Sequence, residues 1–213
     1  PSEEGWPHIW MDPKRPMMFG NLIMPSGFYL EFRLKIQDAF IRAKEKIKSV
    51  TKEFEKCFGR NYGNGLVQEY KMDNADVGVI IYGDLALQME QAVDELRDEG
   101  YKVGMVKLRH FRPFPTENII EVAKKVKLLG VIDRGTAFGS QTGSPVSCEV
   151  KTALHETQGT ATVLPIINGL GGREVNLEQQ KNQLKTLIKF NETGEVPKDI
   201  IHGTLWDGLL EVE

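Results

Sequence analysis

The residues best suited to chemistry lie in one short stretch, KLRHFRPFPTENIIEVAKKVKLLGVIDRG, at positions 107–135. Arg109 and Arg112 stand beside a histidine, and Asp133 and Arg134 follow near the end. Guanidinium groups bind carboxylates and phosphates through paired hydrogen bonds. An arginine group without an adjacent base or nucleophile has no catalytic role of its own. We therefore expect these four residues to form a salt-bridged rim or a subunit contact.

The turn inside this stretch contains two prolines. Pro113 and Pro115 fix two φ angles and bias the residues before them toward extended backbone. Thr116 follows at the position expected for a helix cap. The pattern therefore predicts a rigid structural joint between a strand and a helix.

Cysteine and histidine content limits the metal chemistry. The chain has two cysteines, Cys57 and Cys148, far apart in sequence, and four scattered histidines. Two cysteines cannot supply a four-thiolate iron-sulfur cluster or a cysteine-rich zinc site. Cys148 lies in the helical pattern SPVSCEVKTALHE, where we expect it to be a small buried residue. We expect no metal ligand in this chain.

The overall composition narrows the class of protein. The chain has 213 residues, of which 40% are apolar and 27% are charged, with a net charge of -3. This length accommodates one domain of ordinary size with an appendage. A slightly acidic protein has no general attraction to nucleic acid or to anionic lipid, so neither partner is expected. Because no membrane-length apolar run and no secretion signal occur, we expect a cytoplasmic protein.

From about residue 76 the hydrophobic pattern alternates between strand and helix. VGVIIYG, YKVGMVKLR, LLGVID and ATVLPIIN are predicted strands, and amphipathic helical segments separate them. This alternation predicts an α/β domain, a mostly parallel sheet with helices on both faces. In such a sheet the functional loops follow the carboxyl ends of the strands.

The loops after the predicted strands are rich in glycine but carry no nucleotide fingerprint. DRGTAFGSQTGSP and NGLGGRE could expose backbone N–H groups to a phosphate. However, no G-x-G-x-x-G follows the first strand, and no P-loop motif occurs. Asp84, after the first strand, is expected to cap the next helix. Nucleotide binding by this chain is therefore a minor alternative.

The amino-terminal third differs from the rest of the chain in its proline content and its hydrophobic pattern. Residues 1–27 contain five prolines and many apolar side chains, which predicts an extended arm packed against something. A 3.6-residue apolar period then predicts a long helix from about Phe28 to Phe58, with Ser26 as N-cap and Gly59 just beyond its end. We predict an arm and connector helix over 1–75 and an α/β domain over 76–213. Its tail, from residue 191, is expected to be anchored by Trp206.

Two long stretches resemble a known family. GMVKLRHFRPFPTENIIEVAKKVKLLGVIDRGTAFGSQTGSPVSCEVKTAL and INGLGGREV resemble the C-terminal part of the α subunit of 2-oxoacid:ferredoxin oxidoreductases, of the pyruvate type above all. This region has the transketolase C-terminal fold. DPKRPMMFGNLIMPSGFYLEFRLKIQDAFIRAKEKI resembles the family's connector into that fold. The R-P-F-P turn alone is shared among thiamine enzymes. R-P-F-P, D-R-G and G-L-G-G-R-E in this order and spacing are more specific to this family.

The resemblance implies a part of an assembly that oxidatively decarboxylates a 2-oxoacid with coenzyme A and reduces ferredoxin. It implies thiamine diphosphate, Mg and [4Fe-4S] clusters in other domains or subunits, because none of the family's catalytic, cofactor or cluster residues maps onto this chain. It also implies partner domains or subunits that bind thiamine diphosphate, iron-sulfur clusters and CoA, and ferredoxin as the electron acceptor of the complex. Asp84 departs from the small residue expected after the strand-ending glycine. The chain is then either a domain fragment or one piece of a split subunit.

Two alternatives remain open from the sequence. One is a transketolase-type domain of another thiamine enzyme, such as the β chain of a 2-oxoacid dehydrogenase. The other is a free-standing α/β ligand-binding module. The main hypothesis is a structural and assembly domain, inactive alone, whose interface includes the rim of Arg109, Arg112, Asp133 and Arg134.

Overall fold

A long helix, α1 (Tyr29–Phe58), is the first helix of the described residues. It begins and ends within one residue of the predicted limits. Gly59 follows in a left-handed conformation (φ 65°), and its N–H donates to the Glu55 carbonyl at 2.8 Å. This is the predicted glycine stop. Ser26 lies three residues before the helix and is not its N-cap.

A computed structural model describes residues 13–14, 23–141, 143–155, 161–195 and 200–210. Most of the predicted arm therefore lies outside the described residues. The chain divides into two compact units, Pro1–Ile41 and Arg42–Glu213. Among the helices of these ranges, none combines the length and the apolar character needed to cross a membrane.

The α/β part is built on one sheet. Its strands within the described ranges are β1 (Val67–Tyr70), β2 (Val77–Ile81), β3 (Val103–Leu108), β4 (Leu128–Asp133), β5 (Thr162–Ile167), β6 (Ile200–Ile201) and β7 (Thr204–Trp206). They lie in the order β1-β3-β2-β4-β5-β7-β6. The five inner strands are parallel, and the two edge strands β1 and β6 are antiparallel to their neighbours. The predicted mostly parallel α/β fold is confirmed.

The helices cover both faces of this sheet, as predicted. On one face α2 (Leu85–Asp98) packs with α5 (Leu177–Thr193), and on the other α3 (Thr116–Ala123) packs with α4 (Pro145–His155). Alternate residues of β2 serve the two cores, because side chains of a strand point to opposite faces. Val79 and Ile81 pack in the core beneath α2, and Ile80 packs in the core with Ile119 of α3.

Two predicted helix caps are not formed. Asp84 precedes α2 but makes no side-chain cap hydrogen bond. Thr116 is the first residue of α3, and the N-cap position belongs to Pro115. The cap of α5 is complete: the Asn176 oxygen accepts from the Gln179 N–H, and the Gln179 side chain accepts from the Asn176 N–H, each at 2.9 Å. That reciprocal pair is a capping box.

Strand connectivity places a crevice between β2 and β4. The chain passes from β2 to β3 on one side and then crosses to β4 on the other side of β2. At such a switch point the loops diverge, which opens a crevice at the carboxyl ends of the strands. The domain boundary after residue 75 stays a prediction, and β1, which lies before it, pairs with β3 in this sheet.

Candidate binding site at the carboxyl edge of the sheet

A pocket of about 420 Å³ occupies this crevice, between the ends of β2, β3 and β4 and the start of α4. Its walls include Tyr82, Leu108, Phe111, Pro145 and Val146, with Asp133 and Arg109 as charged members. The volume lies within the range of small-molecule sites, and the mostly apolar lining is typical of them.

Asp133, the last residue of β4, is the central polar group of the pocket. It is 2% exposed. Its Oδ1 accepts from the Tyr82 hydroxyl at 2.5 Å and from the Gly135 N–H at 2.9 Å. Its Oδ2 accepts from the Val146 N–H at 3.1 Å, in the first turn of α4, where the helix dipole favours a negative charge. Asp133 therefore anchors α4 to β4.

Tyr82 faces this carboxylate from the end of β2. Burial, and then the hydrogen bond to Asp133, raises the pKa of Tyr82 to about 12. The hydroxyl is therefore protonated at neutral pH and donates to Asp133. Sequence reasoning overlooked Tyr82, although the strand period places it on the same face as Ile80.

The three predicted arginines each have a separate partner. Arg112 pairs with Glu149 of α4 at 2.5 Å and lies over the Phe111 ring at 4.2 Å. Arg134 pairs with Asp84 at 3.2 Å.

Among the described residues Arg109 has no ion-pair partner, and its guanidinium lies 5.1 Å from the centre of the Tyr62 ring. Arg112 and Arg134 therefore form ion pairs, with Glu149 and Asp84, whereas Asp133 is buried and accepts from Tyr82, Gly135 and Val146. The place of Arg109, Arg112, Asp133 and Arg134 in a subunit contact stays a prediction. Because Asp133 is buried, only the three arginines of this set could touch a partner subunit directly.

The turn after β3 is tied to the chain before β1. The Arg109 N–H donates to the Leu66 carbonyl at 2.9 Å, and His110 Nδ1 lies 2.7 Å from the Gly65 carbonyl. Pro113 and Pro115 are buried, and the Arg112–Pro113 peptide is cis. These contacts agree with the predicted role of the turn as a joint.

The loop before α4 uses its own backbone donors. The N–H groups of Gly135 and Val146 bind Asp133, and the Ser147 N–H donates to the Ser144 hydroxyl at 3.3 Å. A phosphate would compete with these bonds and would meet the Asp133 carboxylate. The arrangement therefore does not support the nucleotide-binding alternative at this loop.

The described residues do not fit the metal cofactors that the resemblance implies. Over the described ranges, no group of three or more His, Cys, Asp or Glu side chains is arranged to hold a metal ion. The sequence has two cysteines, too few for a four-thiolate cluster. Cys57 is exposed, and Cys148 is half-buried with its Sγ 3.5 Å from the Ser140 hydroxyl, so the expected burial of Cys148 is only partial.

Comparison with known proteins identifies the family. The model of pyruvate:ferredoxin oxidoreductase core domain II matches residues 75–180, which contain β2 to β5, α2 to α4 and every residue of the Asp133 network. The chain belongs to the pyruvate:ferredoxin oxidoreductase family. The Asp133 pocket is thus a feature of a core domain II.

Full-length relatives extend the similarity beyond that domain. Pyruvate synthase subunit PorA of Methanocaldococcus jannaschii is 36% identical over 204 residues, 96% of this chain and 49% of that protein. Ketoisovalerate oxidoreductase subunit VorA of Pyrococcus horikoshii is 40% identical over 189 residues, 89% of this chain and 47% of that protein. The chain therefore spans about half the length of the curated relatives it matches.

Two solved structures are similar at lower identity. A 2-oxoglutarate:ferredoxin oxidoreductase from Magnetococcus marinus, with 2-oxoglutarate, coenzyme A and succinyl-CoA bound, is 23% identical with a TM-score of 0.44, covering 57% of this chain and 19% of that one. A split-gene transketolase, an inactive beta4 tetramer, is 14% identical with a TM-score of 0.47, covering 62% of this chain and 44% of that one.

Proposed function

We propose that the chain is a structural and assembly domain of a thiamine diphosphate-dependent 2-oxoacid:ferredoxin oxidoreductase. The complex converts pyruvate or a related 2-oxoacid to acyl-CoA and CO2 and reduces ferredoxin. The supporting observation is that the family match covers the whole Asp133 network, whose groups bind one another. The three hydrogen bonds that Asp133 accepts come from groups of this chain and join the strand ends to α4, which is a structural role.

Other domains or subunits of the complex carry out the redox and carbanion chemistry. Thiamine diphosphate with Mg, the [4Fe-4S] clusters and the CoA site lie in other domains or subunits of this cytoplasmic complex. The cysteine count of this chain supports that division, because each [4Fe-4S] cluster needs four thiolates.

Two surfaces form the interface with those parts. One is α1, which has no buried residue and whose Phe32, Ile36 and Phe40 are 38%, 47% and 43% exposed. Burying a large apolar side chain stabilises a complex by about 1.5–3 kcal/mol. The other surface carries Arg109, Arg112 and Arg134 at the strand ends, where guanidinium groups bind partner carboxylates.

Purification of the native assembly tests this proposal. We expect the chain to co-purify with polypeptides that carry an iron-sulfur absorption band and bound thiamine diphosphate. The isolated chain should be colourless and show no heat of binding with thiamine diphosphate and Mg. An iron-sulfur band in the isolated chain, or a native form without such partners, would refute the assembly function.

A further inference from the structure

A second pocket lies at the carboxyl ends of β5 and β7. Its volume is about 220 Å³, and it is lined by Asn168, Leu170, Arg173, Trp206, Asp207 and Leu209, together with neighbouring backbone. None of these residues lines the Asp133 pocket. The proposed function assigns no role to it.

Asn168 is the unusual member of this pocket. It is 1% exposed, and within the described part of the chain neither its side-chain oxygen nor its side-chain nitrogen has a hydrogen-bond partner. A buried polar group without a partner destabilises a fold. An external group that pairs with this amide would remove that penalty.

Neighbouring polar groups are held by the chain itself. The Asp207 carboxylate accepts from the Gln183 amide at 2.7 Å, and the Asp207 N–H donates to the Ile167 carbonyl at 3.0 Å. Arg173 donates to the Gly208 carbonyl. These bonds hold Asp207 and Arg173 in place in the wall of the pocket that contains Asn168.

The rim of the pocket is apolar. Leu170 is 42% exposed and Leu209 is 57% exposed, and Trp206 is partly buried beside them. An apolar rim around an unpaired amide fits a ligand with one apolar side chain and an adjacent polar donor and acceptor.

We infer that this pocket binds an extended peptide segment of a partner polypeptide. In an extended strand the N–H and C=O of one residue point the same way, which matches the acceptor and donor of a primary amide such as Asn168. The volume is below the usual 300–1,000 Å³ range of cofactor and drug sites, so it accommodates one side chain and its peptide groups. Only the origin of the segment in a partner subunit rests on the proposed function.

The test uses the full chain and N-acetyl-leucine-N-methylamide, which carries one residue's N–H and C=O and a leucine side chain. We expect saturable shifts of the Asn168 side-chain and Trp206 indole signals in 1H–15N spectra, with a dissociation constant of about 1–10 mM, as befits a ligand of this size. Asn168→Leu should weaken binding at least tenfold and leave the melting temperature unchanged or raised. Leu170→Asn, an exposed change that keeps the fold, should weaken binding several-fold.

Asn64→Leu is the stability control. The Asn64 oxygen accepts from the N–H groups of Leu66 and Val67, each at 2.9 Å, so this change should lower the melting temperature. Absence of saturation with the native chain would overturn the peptide site, as would unchanged binding in both pocket variants or a loss of stability in Asn168→Leu equal to that of Asn64→Leu. Equal binding of isovaleramide would assign the pocket to small carboxamides instead.

Discussion

The Tyr82 hydroxyl donates to Asp133 Oδ1 at 2.5 Å and so joins the end of β2 to the end of β4. The same carboxylate accepts from the first turn of α4. One buried anion thus connects two strands and a helix where the chain reverses its direction across the sheet. The Gly135 N–H adds a third hydrogen bond to Asp133, and all four residues line the larger pocket.

Removing the Tyr82 hydroxyl should weaken this connection. Tyr82→Phe leaves Asp133 with two backbone donors, and we expect a loss of about 1–3 kcal/mol in the free energy of unfolding. Urea denaturation measures it. Tyr70→Phe is a matched control: its hydroxyl donates to Asp94 at 2.8 Å in a more exposed site, so its loss should be smaller. Equal losses in the two variants would contradict the central role of Asp133.

The stability of the domain should depend on alkaline pH through Tyr82. Its pKa is about 12 in the folded chain, against 10.0 for an ordinary tyrosine. Since the folded state holds the proton more tightly, this contribution is fully present below pH 10.0 and is lost as the pH rises through about 12. Unfolding measured across that window should show a decline that Tyr82→Phe reduces. The hydrogen bond to Asp94 also raises the pKa of Tyr70, so absorbance titration should show late ionisation that Tyr82→Phe reduces by one tyrosine. A titration unchanged by Tyr82→Phe would contradict the assignment.

Gly143 should be required for stability, because the loop before α4 lies against Thr204 of β7 at this position. Gly143 has a φ of 74°, and a Cβ there would lie 2.3 Å from Thr204 Oγ1. Gly139, in the same loop, has a φ of 75° but open space around it. Both changes to alanine incur the left-handed penalty of about 1–2 kcal/mol. Gly143→Ala should lower the free energy of unfolding by more, and equal losses would show that the loop does not lie against Thr204.

Charge reversal at the rim should weaken assembly without unfolding the domain. Replacing Arg109, Arg112 and Arg134 with Glu removes two ion pairs that are half-exposed. Such exposed pairs each contribute about 0–1 kcal/mol to stability. Sedimentation of the variant with its partners should show at least tenfold weaker association.

The control for that experiment reverses three exposed lysines: Lys124, which directly follows α3, and Lys185 and Lys189 of α5. It changes the net charge by the same amount and should leave association unchanged. Equal weakening by both triple variants would indicate a general charge effect and remove the arginines from the interface.

Local sequence patterns predicted the elements of the sheet better than its edges. Strands β2 to β5 are largely apolar segments, and their alternation with amphipathic helices sufficed to predict a parallel sheet. β6 and β7 have two and three residues, too short for any period to be recognised. Trp206, predicted as the anchor of a tail, lies at the end of β7.

The site was less predictable because its contacts are distant in sequence. Tyr82 and Asp133 are 51 residues apart, and neither residue type reveals the other. Asp84 has the residue type of a helix cap, yet its carboxylate pairs with Arg134, a competition that no local rule shows. Asn168 is buried because β7 and α5 pack around the end of β5. This packing is visible only in the folded chain.

Reconstitution of oxidoreductase activity tests the central claim most directly. The partner polypeptides would be prepared with and without this chain, and ferredoxin reduction with pyruvate and coenzyme A would be followed by absorbance. We expect activity in the complete complex, loss of at least nine-tenths of it without this chain, and none from the chain alone. Full activity of the partners without the chain, or 2-oxoacid-dependent reduction by the chain alone, would contradict a structural and assembly role.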